Sequence, residues 1–310
     1  MRSIPQTTRQ MESISKQTSL FFRRYHIGKI LRSANAYKLK GFSSVFVFFV
    51  LVSIIFENRS LYMQRRLHSE SLPFGKDTAY RFLNSCHTNW RRFTLFLAAR
   101  IINDTIRPLT GATRRCSIIV DDSLFTRSRS KRVELLAKVF DHVSCRYTKG
   151  FRLLVVGWTD GNTFLPLTFC LLSTANEKNR IHGAFSSVDA RSNGAKQRKL
   201  AQMQAPSVVL RLLAEVKAAG IPAQHVLFDT WFCAPSSLKA IHDLGYDVAT
   251  MAKKTDKVRY LCEGKLLDVK AIYKTHRKRR GRSRYLLRRG CRNEGQGIPR
   301  TRPFGVRAKP

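Results

Sequence analysis

Two short stretches, "SIIVDDSLF" (117–125) and "HVLFDTWF" (225–232), each run an apolar β-type segment straight into aspartate. Apolar runs of four rich in Ile, Val, Leu and Phe are too short for helices and read as strands. Polar groups at the carboxyl ends of strands are where an open α/β sheet collects its chemistry. Two such ends carrying the same acid constrain the fold strongly, because a shared role requires both strands to be neighbours in one sheet. The alternative is that one Asp caps a turn, the other ends a strand, and the two have nothing in common.

The surrounding sequence supplies the rest of a sheet. "CSIIVD" (116–121) reads as a first strand, "FRLLVVGW" (151–158) as a second and "TFLPLTFCLL" (163–172) as a third. Asp160-Gly161 between the last two is a tight-turn signal that makes them a hairpin. After a polar stretch (173–205), Pro206 opens "SVVLRLLAEVKAAG", with Val209, Leu212, Leu213 and Val216 on one face and Gly220 as the stop. "HVLF" is a fourth strand, "PSSLKAIHDLG" (235–245) a helix and "YDVATMA" (246–252) a fifth strand. Three strands able to form a meander, then alternating helices and strands, specify an α/β fold: a mixed sheet flanked by helices. A ribonuclease H-like core has this order, with one acid on its first strand and one just after its fourth. Asp122 and Asp229 stand at those two places, and Asp121 points to the opposite side of an extended chain. Asp122 is therefore taken as the inward acid.

Paired carboxylates of this kind suit phosphodiester chemistry. Two Mg²⁺ ions roughly 3.5–4 Å apart activate the nucleophile and neutralise the phosphoryl oxygens. Mg²⁺, with Mn²⁺ as the alternative ion, prefers carboxylate oxygens and water. The charge agrees with such a substrate: 57 Lys and Arg against 20 Asp and Glu give +37 over 310 residues. An excess of that size predicts a polyanionic partner, with nucleic acid foremost, since neutralised phosphates release counterions. The seven cysteines are scattered without C-x-x-C spacing, which argues for a reducing cytosol and against a zinc site.

The chain ahead of the sheet reads as helical and basic. Residues 1–20 are polar and expected to be flexible; 21–105 form an all-helical domain. Within it, Asp77 and Thr78 are placed to cap a helix carrying Tyr80, Phe82 and Leu83. After a polar break, Trp90, Phe93, Leu97 and Ile101 recur at helical spacing. Lys76, Arg81, Arg91 and Arg92 lie outside these apolar sets. Two short helices around a tight turn then read either as a DNA-docking unit or as a packing module with solvated basic faces. "FSSVFVFFVLVSIIF" (42–56) has twelve apolar residues in fifteen, short of the about 20 that span a bilayer. It is expected to be a core helix, with a membrane anchor as the alternative.

"VDDSLFTRS", "GFRLLVVGWTDGNTFLPLTFCLL" and "HVLFDTWF", in this order, resemble the bacterial insertion-sequence transposases of the DDE type, and "KDTAYRFLNS…NWRRF" resembles their N-terminal region. The likeness spans about residues 20–287. It implies a helical DNA-binding domain (21–105) and a ribonuclease H-like catalytic domain (106–287). It further implies cut-and-paste transposition on double-stranded DNA: binding of terminal inverted repeats, metal-dependent cleavage and joining to target DNA. A synaptic homodimer and a bacterial cytoplasmic, nucleoid-associated location, with no membrane, follow from the same resemblance. Asp122 and Asp229 correspond to the first two acids of the triad. DNA contacts are expected from Lys76, Arg81, Arg91 and Arg92, from "RSRSKR" (Arg127, Arg129, Lys131, Arg132) and from Arg277, Lys278, Arg279 and Arg280.

The third acid is where the sequence departs from that family, whose Glu lies on a downstream helix. After Asp229 the chain offers Glu263, in a hairpin-like "YLCEGKLLDV", and Glu294. The latter lies in 288–310, where six Arg, four Gly and three Pro carry no apolar period; that segment is expected to form neither helix nor strand. Two origins fit this composition: an out-of-frame or truncated end that removes the third acid and leaves the chain inactive, or a basic tail for DNA, since 274–289 holds nine Lys or Arg. On the first, the chain is a DNA-binding remnant that occupies transposon ends or inhibits full-length transposase.

Overall fold

The structure is a computed structural model of the 310-residue chain. It describes residues 8–57, 59–67, 72–111, 114–185, 188–252, 258–262, 264–275, 285–288 and 304–307. The chain forms two compact units, one of residues 1–104 and 185–197, the other of 105–184 and 198–310.

The first unit is helical: α1 (Thr8–Arg24), α2 (Ile27–Ser33), α3 (Ser44–Phe56), α4 (Leu61–Leu67), α5 (Lys76–Leu83) and α6 (Trp90–Ile101). The stretch expected to be flexible up to residue 20 is thus helical from Thr8. Its far end is anchored by Phe22 and Tyr25, both buried, and Phe22 packs on Phe48 and Phe49 of α3. The very apolar 42–56 segment supplies α3, started by the Ser43 hydroxyl, which accepts from the Phe46 N–H at 3.2 Å. Val47 is fully buried among Phe22, Ile27, Leu31, Phe82 and Phe93. α3 is a core helix along that side, while Phe46, Ile55 and Phe56 stay exposed. Among the described residues no single helix is long and apolar enough to cross a membrane.

α5 starts after Gly75, so Asp77 and Thr78 lie inside its first turn rather than capping it; Asp77 there meets the positive end of the helix dipole. α6 is capped by the Asn89 side chain, which accepts from the Arg92 N–H at 3.0 Å. The Trp90 indole N–H donates to the Leu83 carbonyl at 3.2 Å and closes the turn between α5 and α6.

The second unit holds β1 (Ser117–Thr126), β2 (Ala137–Asp141), β3 (Arg146–Thr159) and β4 (Phe164–Leu172). It continues with α7 (Asn193–Ala201, which begins in the first unit), α8 (Ala205–Ala218), β5 (His225–Phe228), α9 (Pro235–Asp243) and β6 (Asp247–Thr250). β1 pairs antiparallel with β3 and parallel with β5; β5 pairs parallel with β6; β3 pairs antiparallel with β4. The path β4-β3-β1-β5-β6, antiparallel on one side and parallel on the other, is the ribonuclease H-like order read from the sequence. β2 is an addition: it pairs with residues 146–150 of β3, before the segment that β4 takes.

Asp160 fixes the hairpin between β3 and β4. Its carboxylate accepts from the Asn162 and Thr163 N–H groups at 3.0 and 2.8 Å and meets Arg114 at 3.2 Å. These bonds outweigh its burial and hold its carboxyl below the ordinary aspartate range. Gly161 takes φ +95° in that turn, as a glycine can. α8 buries Val208, Val209, Leu212, Leu213 and Val216, each contributing about 1.5–3 kcal/mol, and Gly220 ends it at φ +68°. Trp158, fully buried, donates its indole N–H to the Pro222 carbonyl at 2.7 Å.

Beyond β6 lie β7 (Tyr260–Cys262), β8 (Lys265–Leu267), α10 (Val269–Thr275), β9 (Tyr285–Arg288) and β10 (Phe304–Arg307). β10 pairs antiparallel with β9, which corrects the expectation that 288–310 carries no strand. Phe304 and Val306 give that stretch the period of two a strand needs.

Candidate active site

The two aspartates are brought together by strand register. β1 and β5 pair from Ser117↔His225 to Val120↔Phe228, so the next residues, Asp121 and Asp229, leave the parallel ladder at the same level. β5 stops there. β1 does not: β3 pairs with it as far as Thr126↔Gly150. The expectation of a strand ending at Asp121 is thereby corrected, and the acids mark the end of the parallel ladder, inside β1.

Alternation along β1 separates Asp121 from Asp122. Ile118 and Val120 are buried, and Asp122 follows them on that face; Asp121 is exposed on the other. The Asp122 side chain is only 6 % exposed. The Trp231 indole N–H donates to its Oδ1 at 2.7 Å, and the Arg152 Nε lies 2.8 Å from its Oδ2. The latter is a charge contact, since its alignment falls short of a hydrogen bond. Asp121 accepts through Oδ1 from the Asp122 N–H at 2.9 Å.

Asp229 caps the short turn Thr230–Phe232 that follows β5. Its Oδ1 accepts from the Thr230 N–H at 2.6 Å and the Thr230 hydroxyl at 2.9 Å. Trp231, which reaches Asp122, belongs to this same turn, so one indole links both acids. The turn is braced: the Trp231 and Phe232 rings pack at a 31° tilt with centroids 3.7 Å apart, and the Thr250 hydroxyl donates to the Phe228 carbonyl at 2.8 Å. Arg152 and Trp231 were not singled out by the sequence reading. The one available signal for Arg152 was a cation inside the apolar run "FRLLVV"; for Trp231 it was adjacency to Asp229.

As a site for a hard divalent cation the set fits in part. Carboxylate oxygens are the right donors, and Asp229 Oδ2 has no partner among the described residues. Asp122, however, meets a fixed cation and an N–H donor on its two oxygens. Among the described residues no group of three His, Cys, Asp or Glu side chains is assembled. Glu263 and Glu294 lie outside the described residues.

The basic residues expected at DNA divide. Lys76, Arg81 and Arg92 are exposed on α5 and α6, with Arg92 over the Phe96 ring at 4.9 Å. Arg91 is not available: it is 8 % exposed, which corrects its placement on a solvated face. It shares a stripe with Leu95, Ala98 and Ile102, all buried, so the helix buries a second face beside the Phe93 one. Arg127, Arg129, Lys131 and Arg132 are exposed between β1 and β2. Arg277, Lys278, Arg279 and Arg280 lie outside the described residues.

A family model described as DDE superfamily endonuclease matches residues 57–301, well over half of the chain. No curated protein matches. Among solved structures, the Drosophila P element transposase strand transfer complex matches at 10% sequence identity with a TM-score of 0.29, covering 77% of this chain and 50% of that one. This chain spans about half the length of that transposase chain, and at such a score the likeness bears on neither fold nor chemistry.

Proposed function

The chain belongs to the DDE superfamily endonucleases, and from that premise we propose that it is a DNA transposase whose metal-dependent strand chemistry centres on Asp122 and Asp229. The observation that carries this is the register that brings both acids to the end of the β1–β5 ladder, with Trp231 joining the Asp229 turn to Asp122. Asp229 Oδ2 and an Asp122 freed from Arg152 would hold Mg²⁺ or Mn²⁺. A bound ion of this class supplies a nucleophile at neutral pH and neutralises charge on the phosphate. Asp122 and Asp229 place it, and the Trp231 turn keeps the two acids in step.

Double-stranded DNA is the substrate, as transposon ends and as target, held by Lys76, Arg81 and Arg92 of the helical unit and by Arg127, Arg129, Lys131 and Arg132 beside the sheet. From the resemblance we carry over a synaptic homodimer and a nucleoid location. A second reading rests on Asp122 itself. With both its oxygens engaged and no third acid assembled beside it among the described residues, the chain binds DNA ends without cutting them.

Supercoiled-plasmid nicking in Mg²⁺ and in Mn²⁺ decides between the two, using a plasmid that carries the element's own ends and Asp229→Ala as control. Nicking abolished by the substitution supports the transposase reading with these two acids. Retarded DNA without nicking supports the second reading. Nicking that survives Asp229→Ala removes Asp229 from the site.

A further inference from the structure

We infer that the β2–β3 hairpin is a grip for an unpaired stretch of DNA strand, with phosphates on Lys138 and Lys149 and a base stacked on Tyr147. The inference rests on the DNA-processing reading above but names a surface outside the carboxylate site. Lys149 lies five residues along β3 from Leu154, the partner of Asp122, and on the opposite side of the strand by alternation.

The register carries the argument. Lys138 stands directly across from Lys149, and Phe140 directly across from Tyr147, so alternation puts two lysines and two aromatic rings on one face of the hairpin. Both lysines are exposed, and Tyr147 is 69% exposed. Like charges directly opposite destabilise a strand pair, and within 137–150 no acid lies on that face to relieve them. Asp141 is the one acid in 137–150, and it lies on the other face by alternation. Its carboxylate is consumed by the turn, accepting from the Ser144 hydroxyl at 2.6 Å and the Val143 N–H at 2.9 Å. The nearby Glu134 is paired with Arg198 at 2.6 Å. A lysine pair left uncompensated is complementary to phosphate.

The aromatic half fits the same ligand. Tyr147 stands edge-on to Phe140 with centroids 5.2 Å apart, and Phe140 meets His142 at 5.1 Å. The tyrosine is therefore held while remaining open to solvent. An open ring beside paired cations is the arrangement that binds single strands by stacking. The Arg127 N–H donates to the Lys149 carbonyl at 2.7 Å, which ties the start of the "RSRSKR" segment to the same edge and lengthens the basic track.

The test measures binding of the full chain to a single-stranded oligonucleotide, and to a duplex of equal length, by fluorescence anisotropy over a salt series. Lys138→Gln/Lys149→Gln is expected to flatten the log Kd against log salt slope for the single strand by about 1.4, two contacts at about 0.7 each. The same variant should melt higher than the parent without DNA, because the opposed charges are gone. That rise separates lost binding from lost folding. Tyr147→Ser should weaken single-strand binding about tenfold and duplex binding less. An unchanged slope in the double variant, or equal losses on both DNAs for Tyr147→Ser, overturns the grip while leaving the transposase reading standing. A parent chain that binds neither DNA overturns both.

Discussion

Replacing Arg152 with methionine removes the cation from Asp122 while keeping much of the apolar stem. The magnitude follows from an asymmetry: the Asp122 side chain is 6% exposed and that of Arg152 27%. Once Arg152 is gone, Asp122 recovers only part of its water, and the Trp231 N–H is its remaining side-chain partner among the described residues. Breaking a buried pair from one side costs about 3–5 kcal/mol. Arg152 is open enough for water to follow it in, which lowers the expectation to about 2–3 kcal/mol. Asp122→Asn works the other way: the stranded guanidinium turns to solvent, and the loss is about 1 kcal/mol. The double variant strands no charge, so it should be no less stable than Arg152→Met alone, a coupling of at least about 1 kcal/mol. Denaturant unfolding of the four proteins at neutral pH and constant m measures this. Mn²⁺ should then raise the melting temperature of Arg152→Met more than that of the parent, since an ion takes over the neutralisation of Asp122. Arg152→Met within about 0.5 kcal/mol of the parent, or strict additivity in the double variant, would refute the idea of Asp122 as a buried charge held by Arg152.

Three further outcomes follow from the hairpins and glycines of the sheet. Asp160 has a lowered pKa in the fold, so its contribution to stability is complete above its unfolded value, about 3.9, and is lost as pH falls through the folded one; Asp160→Asn should flatten the acid limb of a melting-temperature profile relative to the parent. Gly150→Ala drives a methyl into the Phe125 backbone carbonyl, which cannot move without unpairing β1, and should cost about 3 kcal/mol or more. Gly157→Ala meets chiefly the ring of Phe164, which is 52% exposed and able to swing away, with the Leu165 carbonyl a lesser neighbour at 3.3 Å, so about 1 kcal/mol is expected from the same thermal melts.

What the sequence made legible is what short-range chemistry decides. The apolar runs of β1, β3, β4 and β5, the Asp160-Gly161 turn and the stripe of α8 each declare themselves within a dozen residues, and their order specifies the sheet. β2 escaped because "AKVFD" is five residues long, follows a polar basic segment, and becomes a strand only by pairing with the protruding end of β3. Arg91 was misplaced for a related reason. One helical stripe, Trp90, Phe93, Leu97 and Ile101, accounted for the obvious aromatic residues, while a second stripe beside it also turns inward.

The site divides along the same line. An acid at the end of a parallel ladder is visible in sequence, but "VDDS" offers two, and alternation alone only says that they face apart. The choice is made by residues far off in the chain. Register sets Arg152 beside Leu124 and Leu154 beside Asp122, and the turn after β5 throws Trp231 across to the same carboxylate. Asp122 rather than Asp121 is thus the acid the fold holds in place, and the cation that holds it is also the one that a metal, on the proposed function, would displace. On the proposed function, strand chemistry is therefore governed at Arg152 as much as at either aspartate.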